Sequence, residues 1–355
     1  MIVYPERVRI RIVDSHKTII QTMKMMDDCR VKSLLTFNQN SFIGLITNGD
    51  LQRAIIAGMP FDTEIGSLVA ISEKRYAHIS DDEESIKAWM LEVRAEMMPV
   101  LDTDGKLIKV VFWDDLFGSV REDNRNKIDI PVVIMAGGKG TRLKPLTNVL
   151  PKPLIPIGEK TILEEILDRF EAVGCRKFFM SVNYKSEMMR FYVAQLEHHY
   201  GIEFFEESKP LGTIGSVALL KGKIDTPFFV SNCDIIIDQD FRDVYDYHIA
   251  NRNDLTIVSA IKSFKIPYGV VETGKDGLMT GLQEKPEVTY MINTGLYILN
   301  SECIDEIPRN EFYHITQLME RIQKRGGRVG CFPVSEQAWT DMGEWPEYLR
   351  TVKVL

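Results

Sequence analysis

The sequence has few cysteines, and their spacing excludes two familiar kinds of site. Its five cysteines are scattered, odd in number and never arranged as Cys-x-x-Cys. A zinc ribbon or a thioredoxin-like redox pair needs paired cysteines, and a disulfide framework needs an even set. The six histidines show no metal-ligand spacing either. Because free thiols are typical of a reducing compartment, we expect a cytoplasmic protein.

Long apolar runs and an excess of basic residues are also missing. No uninterrupted apolar stretch reaches the roughly 20 residues that cross a bilayer. The first seven residues, MIVYPER, contain no apolar core of signal-peptide length. The net charge is −8, whereas a nucleic-acid surface needs a basic face to meet phosphates. We therefore expect neither membrane insertion nor nucleic-acid binding.

Two standard phosphate loops are absent from the segment that most resembles one. The segment AGGKGTRLKPLTNVLPKPLIPIG, residues 136–158, follows the apolar run PVVIM. A Walker A loop requires a glycine where Val133 stands, and a dinucleotide fingerprint requires one where Leu143 stands. Glycines nevertheless let backbone N–H groups close on an anion. The segment also carries four basic side chains, Lys139, Arg142, Lys144 and Lys152. It is therefore predicted to bind a polyphosphate.

The chain is long enough for more than one domain. It has 355 residues, which exceeds the size at which single cores stop growing. The polar run REDNRNK predicts a linker over 121–128, between a domain at 1–120 and a second at 129–355. In the second domain, apolar strands alternate with helices, which favours an α/β fold with a mostly parallel sheet and helices on both faces. Ligands in such folds bind beyond the carboxyl ends of the strands.

The elements of the second domain can be placed from its apolar runs. The candidate strands are PVVIMA, KFFMSV, PFFVSN, LTIVSAI, TGLYIL and RVGCFPV. The candidate helices span 162–173, 186–198, 215–220 and 241–252.

The first domain contains an internal repeat. GLITNGDL at 44–51 matches KVVFWDDL at 109–116, and the amphipathic segments KTIIQTMKMMDD and ESIKAWMLEV match upstream of them. Two such units, at about 8–60 and 67–118, predict a small duplicated α/β domain.

The glycine-rich segment is similar to the signature of the sugar-1-phosphate nucleotidyltransferases, GG-x-G-T-R-L-x-P-L-T followed by P-K-P. The resemblance covers about residues 130–350 and continues through PLGTIGSV, VSNCD, YGVVE, QEKP, NTGLYIL and WTDMG. It implies a Rossmann-like, GT-A-like, mostly parallel mixed sheet. It also implies that a sugar 1-phosphate attacks a nucleoside triphosphate, with Mg²⁺ as cofactor and pyrophosphate as leaving group.

The same resemblance implies a role for individual residues. The catalytic set is Arg142, Lys152 and Asp234. The triphosphate and its base would be held by Ala136, Gly137, Gly138, Lys139, Gly140, Thr141, Gly212 and Thr213. The sugar phosphate would be held by Gly269, Glu284, Lys285, Asn293 and Thr294. Mg²⁺ would be held by Asp234 and Asp341. Simpler interpretations remain open, because Asp234 could bond a turn, Asp341 could cap a helix starting near Glu344, and Lys285 could be a solvated turn residue.

The first domain resembles a tandem pair of CBS domains. Thr47 and Asp50 are similar to the Thr-x-x-Asp pattern that holds a nucleotide ribose. In the second repeat Phe112 replaces the hydroxyl, although Asp115 remains. The resemblance implies one adenine-nucleotide site. Such pairs commonly pack against a second pair, so we expect a homodimer or a higher homo-oligomer.

Only the resemblance to known families indicates which nucleotide and which sugar phosphate the chain would use. PLGTIGSV resembles guanylyltransferases acting on mannose, heptose or glucosamine 1-phosphate, which favours GTP. Together with the CBS pair, the chain most resembles the glucosamine-1-phosphate guanylyltransferases of bacterial legionaminic acid synthesis. Alternatives are the same chemistry with UTP, dTTP or CTP, and a catalytically inactive nucleotide-sensing protein, which would have a defective catalytic set.

Overall fold

The computed structural model describes residues 4–69, 74–93, 95–117, 127–196 and 201–354. The chain forms two compact units, Met1–Arg125 and Asn126–Leu355. Residues 121–126 of the predicted linker and residue 118 of the second predicted repeat lie outside the described residues, as do His198 and His199 at the end of one predicted helix.

The first unit repeats one topology. Its strands are β1 (Ile12–Asp14), β2 (Ser33–Asn38), β3 (Ser41–Thr47), β4 (Ala77–His78), β5 (Met97–Leu101) and β6 (Leu107–Phe112). Its helices are α1 (Glu6–Arg9), α2 (Ile19–Cys29), α3 (Asn48–Ile56), α4 (Glu83–Val93) and α5 (Trp113–Phe117). β1 pairs parallel with β2, which pairs antiparallel with β3. β4, β5 and β6 pair in the same order and the same directions.

Local capping explains where two helices of this unit begin. Thr18 and Gln21 form a reciprocal capping box at the start of α2, and Thr47 and Asp50 form one at the start of α3. In each box the threonine oxygen accepts a backbone N–H bond that the helix cannot satisfy internally.

The second unit is built around one large sheet. Its strands are β7 (Val132–Met135), β8 (Pro156–Ile157), β9 (Lys160–Thr161), β10 (Lys177–Val182), β11 (Gly201–Glu206), β12 (Phe228–Asn232), β13 (Ile235–Ile237), β14 (Leu255–Lys265), β15 (Val270–Thr273), β16 (Met279–Gln283), β17 (Glu287–Leu299), β18 (Val329–Val334) and β19 (Trp339–Asp341). Its α-helices are α6 (Leu146–Val149), α7 (Ile162–Ala172), α8 (Ser186–Val193), α9 (Phe241–Ala250), α10 (Ile315–Lys324) and α11 (Trp345–Val354).

The large sheet is mixed but mostly parallel. Its strand order is β11-β10-β7-β12-β17-β14-β18. Every neighbouring pair is parallel except the two that involve β17, which runs against β12 and β14. The predicted sheet is therefore confirmed, including its mixed character.

Helices cover both faces of this sheet. Successive side chains of a strand point to opposite faces of a sheet. Phe228 and Phe229 of β12 therefore lie on opposite faces of the large sheet. Phe229 contacts Phe170 of α7 and Phe241 of α9. Phe228 belongs to a separate buried cluster with Leu318 of α10. The predicted fold class, an α/β sheet with helices on both faces, is confirmed.

Some elements differ from the sequence prediction. Residues Gly215–Leu220 form a 3-10 helix rather than an α-helix, and α8 ends at Val193. The edge strand β11 was not predicted, because two glutamates interrupt its short apolar run without a regular alternation, and Phe205 is its single buried residue. No helix in the described part of the chain has the length and apolarity to span a membrane.

Candidate active site

Two carboxylates that are far apart in sequence meet beside the carboxyl end of β12. Asp234 lies two residues after the end of β12 and directly before β13, and Asp341 is the last residue of β19. The short strands β13 and β19 pair antiparallel, with Ile235 opposite Asp341. The Met342 N–H also donates to the Asp234 carbonyl at 2.8 Å. Backbone pairing therefore brings together the two residues that were predicted to bind a metal.

Two cations from the glycine-rich segment complete this cluster. The Lys152 ammonium donates to Asp234 Oδ2. The Arg142 guanidinium lies 3.9 Å from Asp234 Oδ2 through Nη2, and 3.9 Å from Asp341 Oδ2 through Nη1. Lys152 is only 8% exposed, so its charge is held in place rather than solvated. The structure thus gathers the three predicted catalytic residues and both predicted metal ligands at one place.

Local backbone geometry aims Lys152 at this place. Pro151 and Pro153 flank it, and proline restricts the backbone of itself and of the preceding residue. Gly140 has a φ of +61°, and a Cβ there would lie 2.8 Å from Thr147 Cγ2 and 3.2 Å from Lys152 Cβ. A larger residue at position 140 would therefore push the loop away from Lys152.

The carboxylate pair suits a hard divalent cation. Burial raises the pKa of Asp341; the Gly343 N–H opposes this rise, and the nearby Asp234 carboxylate adds to it. Within the described ranges, no group of three His, Cys, Asp or Glu side chains has metal-binding geometry. Mg²⁺ usually takes one or two carboxylates and completes its shell with water and substrate phosphates. Two converging aspartates are therefore a fitting donor set for it.

The rest of the glycine-rich loop is open to ligands. Gly138, Lys139 and Thr141 are exposed, whereas Ala136 is buried. The Ala136 N–H donates to the Ser181 carbonyl at 3.0 Å, so this group is already paired within the sheet.

Glu207 is a buried carboxylate that the sequence analysis did not single out. It follows β11 and is 6% exposed. Its Oε1 accepts from the Ser181 hydroxyl, and its Oε2 accepts from the Leu211 N–H at 3.1 Å. A Cβ on Gly137 would lie 3.0 Å from Oε1. The absence of a side chain at Gly137 therefore lets the glycine-rich loop approach this carboxylate closely.

The predicted base loop at Gly212 and Thr213 is anchored to the segment before α10. Gly212 has a φ of +82°, and a Cβ there would lie 2.6 Å from the Tyr313 carbonyl oxygen. Thr213 Oγ1 accepts from the Ile315 N–H at 2.9 Å. The Thr213 hydroxyl therefore bonds the backbone at the start of α10. Glu207 contacts both this loop and Gly137.

The predicted sugar-phosphate residues fall into two groups. Gly269 and Glu284 flank the ribbon formed by β15 and β16, and a Cβ on Gly269 would lie 3.1 Å from Glu284 Oε2. Lys285 is exposed, has a φ of +47° and lies 4.0 Å from Glu284 through its Nζ atom.

The second group lies on β17. Asn293 Oδ1 accepts from the Gly295 N–H at 3.1 Å. The Thr294 hydroxyl is buried and donates to the Val258 carbonyl at 2.7 Å. The Thr294 hydroxyl therefore supports the sheet, although Thr294 was predicted to hold the sugar phosphate.

Residues 343–345 close the cluster from the C-terminal side. Asp341 Oδ1 accepts from the Gly343 N–H at 2.7 Å, in a turn that precedes α11. Glu344 Oε1 accepts from Arg142 Nη1 at 2.9 Å. From the sequence, Glu344 was predicted only to lie near the start of a helix, because no neighbouring residue indicates a contact with Arg142.

In the first unit, Thr47 and Asp50 lie together as predicted, but each is committed to local bonds. Asp50 Oδ2 accepts from the Thr47 N–H at 2.8 Å, from the Thr47 hydroxyl at 2.7 Å and from Lys74 Nζ at 2.5 Å. Arg53 donates to Oδ1 at 2.6 Å. Burial disfavours the charged form, but the bonds from Lys74 and Thr47 outweigh it and lower the pKa of Asp50.

In the second repeat, Asp115 makes contacts that correspond to those of Asp50. Asp115 accepts from the Phe112 N–H at 3.1 Å and from Arg7 Nη1 at 2.7 Å. The Arg7 guanidinium carbon also lies 3.7 Å from the centre of the Phe112 ring. In each repeat, the helix-opening aspartate thus binds a cation from the segment that leads into the other repeat.

The chain is similar in sequence to several known proteins. The mannose-1-phosphate guanyltransferase of Neurospora crassa is 34% identical over 226 residues, which are 61% of this chain and 62% of that protein. The Candida albicans protein of the same name is 39% identical over 184 residues, which are 49% of this chain and 51% of that protein. The chain thus spans about half to three fifths of the length of these relatives.

Solved structures show the same fold. HddC from Yersinia pseudotuberculosis has a TM-score of 0.50 at 26% identity, covering 63% of this chain and 99% of that one. A structure of HddC complexed with GMP-PN also has a TM-score of 0.50, at 25% identity and the same coverage. The family model described as Nucleotidyl transferase matches residues 131–354, and the chain therefore belongs to the nucleotidyl transferase family.

Proposed function

We propose that this chain is a sugar-1-phosphate guanylyltransferase, which transfers GMP from GTP to a hexose or hexosamine 1-phosphate and releases pyrophosphate. The observation that carries the proposal is the convergence of Lys152 and Arg142 on Asp234 and Asp341. A catalytically inactive nucleotide sensor would not need to keep this whole set in one place.

The chemistry requires two polyanions to approach each other. A phosphate oxygen of the sugar 1-phosphate attacks the α-phosphorus of GTP, and the bond from that phosphorus to the pyrophosphate oxygen breaks. Lys152 offsets charge on the transferred phosphate, while Arg142 and Lys139 hold the leaving pyrophosphate. Positioning and electrostatic stabilisation are enough for such a step, without a covalent intermediate. Asp234 and Asp341 would hold Mg²⁺, which acts as a Lewis acid on the phosphate oxygens.

Glu207 supports guanine as the base. The Watson–Crick edge of guanine presents two adjacent donors, N1–H and N2–H, and a carboxylate accepts two such bonds side by side. Uracil and thymine present one donor between two carbonyl oxygens, which a carboxylate would repel. Glu207 lies against Gly137 of the glycine-rich loop and accepts from the Leu211 N–H beside Gly212. The names of the fungal relatives and the GMP-PN complex of HddC point to the same base.

Glucosamine 1-phosphate is our first choice of acceptor, with mannose and heptose 1-phosphates as alternatives. Glu284 and Lys285 supply an exposed carboxylate and an exposed ammonium side by side. The carboxylate accepts hydrogen bonds from sugar hydroxyls or from a protonated amine, and the ammonium suits the sugar phosphate. The GDP-sugar would serve cytoplasmic synthesis of bacterial surface glycans, as in the legionaminic acid route.

The first unit is proposed to be a CBS pair that binds an adenine nucleotide and supports dimer formation. Asp50 offers a carboxylate for ribose hydroxyls, and Lys74 and Arg53 lie beside it as partners for a phosphate. The second repeat has Phe112 in place of the threonine, and Arg7 already occupies its aspartate. Both aspartates already bond cations, so the hydroxyl of Thr47, which the second repeat lacks, is the difference that favours the first repeat as the nucleotide site.

The direct test is a matrix of nucleoside triphosphates against sugar 1-phosphates, scored by released pyrophosphate. We expect GTP to give the fastest release, and glucosamine 1-phosphate to be the preferred acceptor. Faster turnover of UTP, dTTP or CTP would contradict the guanylyl assignment. No turnover with any pair would support the inactive sensor instead.

Removal of Lys152 or Asp234 should abolish most of the activity. The Lys152→Ala and Asp234→Ala variants should fold, but lose turnover by a factor on the order of 10²–10³ for each lost transition-state contact. Lys160→Ala is the matched control, because Lys160 bonds Asp168 in an exposed pair outside the cluster. Turnover near that of the unmodified protein in Lys152→Ala would rule out the assigned role.

Glu207→Gln should change the choice of base. An amide offers one acceptor and one donor, which matches uracil or thymine better than guanine. We expect kcat/KM for GTP to fall about 10-fold or more, given that an unpaired buried polar group costs about 1–3 kcal/mol, while UTP or dTTP loses less. Glu206→Gln, at an exposed neighbour, should leave the preference unchanged. An equal loss for all triphosphates would indicate a structural role for Glu207.

Asp50→Asn should weaken nucleotide binding to the first unit. Titration calorimetry of the full chain with AMP or ATP should show binding at a site outside the catalytic one, and the substitution should weaken it several-fold because a charge-assisted bond is lost. Asp115→Asn is the matched control in the other repeat. Absence of this additional binding in the unmodified chain would leave the first unit with a structural role.

A further inference from the structure

Arg142 lies among three carboxylates, and it bonds directly to one of them. Its Nη1 atom is 2.9 Å from Glu344 Oε1 but 3.9 Å from Asp341 Oδ2. Its Nη2 atom is 3.9 Å from Asp234 Oδ2. The Glu344 contact has hydrogen-bond length, whereas the two aspartate contacts exceed it. The direct hydrogen bond of the guanidinium therefore goes to Glu344, while both aspartates lie beyond hydrogen-bond distance from it.

Glu344 is itself fixed by the backbone around it. Gly343 runs so close to the cluster that a Cβ there would lie 2.7 Å from Asp341 Oδ1, 2.7 Å from Lys152 Nζ and 2.9 Å from Arg142 Nη2. On the other side of Glu344, the Trp345 indole N–H donates to the Lys144 carbonyl at 3.0 Å. Of the two neighbours of Glu344, Trp345 thus bonds the segment that carries Arg142, and Gly343 packs closely against Lys152 and Arg142 of it.

α11 adds a second tie to the same segment. The Tyr348 hydroxyl donates to the Pro156 carbonyl at 3.2 Å. Lys144 precedes Lys152 in the sequence and Pro156 follows it. These two contacts therefore fix the start of α11 relative to the glycine-rich segment. The carboxylate of Glu344 is consequently presented to Arg142 from a supported position.

We infer that Glu344 is a positioning residue that keeps the Arg142 guanidinium away from the Asp234–Asp341 pair and leaves this pair available to a divalent cation. The inference rests on the proposed function, which assigns the two aspartates to Mg²⁺. A guanidinium between two carboxylates would compete with the metal for the same oxygens. Lys152 already bonds Asp234, so Asp341 is the ligand that a released Arg142 would neutralise.

The test measures metal binding without nucleotide. Mn²⁺ binding to the full-length protein is followed by electron paramagnetic resonance of the free ion. Glu344→Gln keeps the shape of the side chain but removes its charge. Its dissociation constant should rise about two- to five-fold, the range typical of one exposed ion pair. Both side chains are more than half exposed, at 56% for Arg142 and 54% for Glu344.

Two further variants separate positioning from a direct effect on the ion. Arg142→Gln should bind Mn²⁺ more tightly, because the competing cation is gone, and adding Glu344→Gln to it should change little. Glu347→Gln, in the first turn of α11, is the control, since Glu347 pairs with Arg350 and should leave binding unchanged. The apparent Mg²⁺ requirement for turnover should rise in Glu344→Gln, whereas turnover of Arg142→Gln should fall because its contact with pyrophosphate is lost.

Three results would overturn the inference. They are unchanged Mn²⁺ binding in Glu344→Gln, an equal loss in the presence and absence of Arg142, and no Mn²⁺ binding by the unmodified chain. Failure of the proposed function is seen separately, as a lack of nucleotide-sugar formation by the unmodified chain, which these binding measurements do not involve.

Discussion

The repulsion between two neighbouring carboxylates is the constraint on which the catalytic unit depends. Asp234 and Asp341 are brought together by the pairing of β13 with β19, and burial raises the pKa of Asp341 with the other carboxylate adding to it. Lys152 and Arg142 offset this repulsion. Burying like charges is unfavourable unless counter-charges accompany them. The prolines around Lys152 and the close packing at Gly140 and Gly343 serve that requirement.

The sequence was most informative where chemistry is concentrated in a short segment. The glycine-rich loop and the strand ending before Asp234 were predicted from local pattern, and the structure places their side chains together. The large sheet followed from apolar runs, because strands buried on both faces leave a clear signal. The edge strand β11 gave no such signal, since it is largely exposed and its two glutamates leave neither a continuous apolar run nor a regular alternation.

The residues that the sequence analysis missed act through long-range contacts. Glu207 is one of two adjacent glutamates, and its importance comes from Ser181 and Gly137, which lie on other strands and loops. Glu344 acquires its contact across about 200 positions of the chain. Conversely, Thr294 and Thr213 were assigned to ligands, while their hydroxyls serve backbone groups of the fold. Local pattern identifies a chemically suitable residue but does not say which partner will satisfy it.

The single antiparallel strand of the large sheet has a consequence for biosynthesis. β17 lies between β12 and β14, although both of these precede it in the chain. The four parallel strands on one side are complete once β12 has left the ribosome, but they keep an open edge until residue 299 has emerged. Unpaired edges of this kind invite association between nascent chains. Slow translation through β14 would prolong that exposure, so the time taken to elongate from β12 to β17 sets how long this edge stays open on the nascent chain.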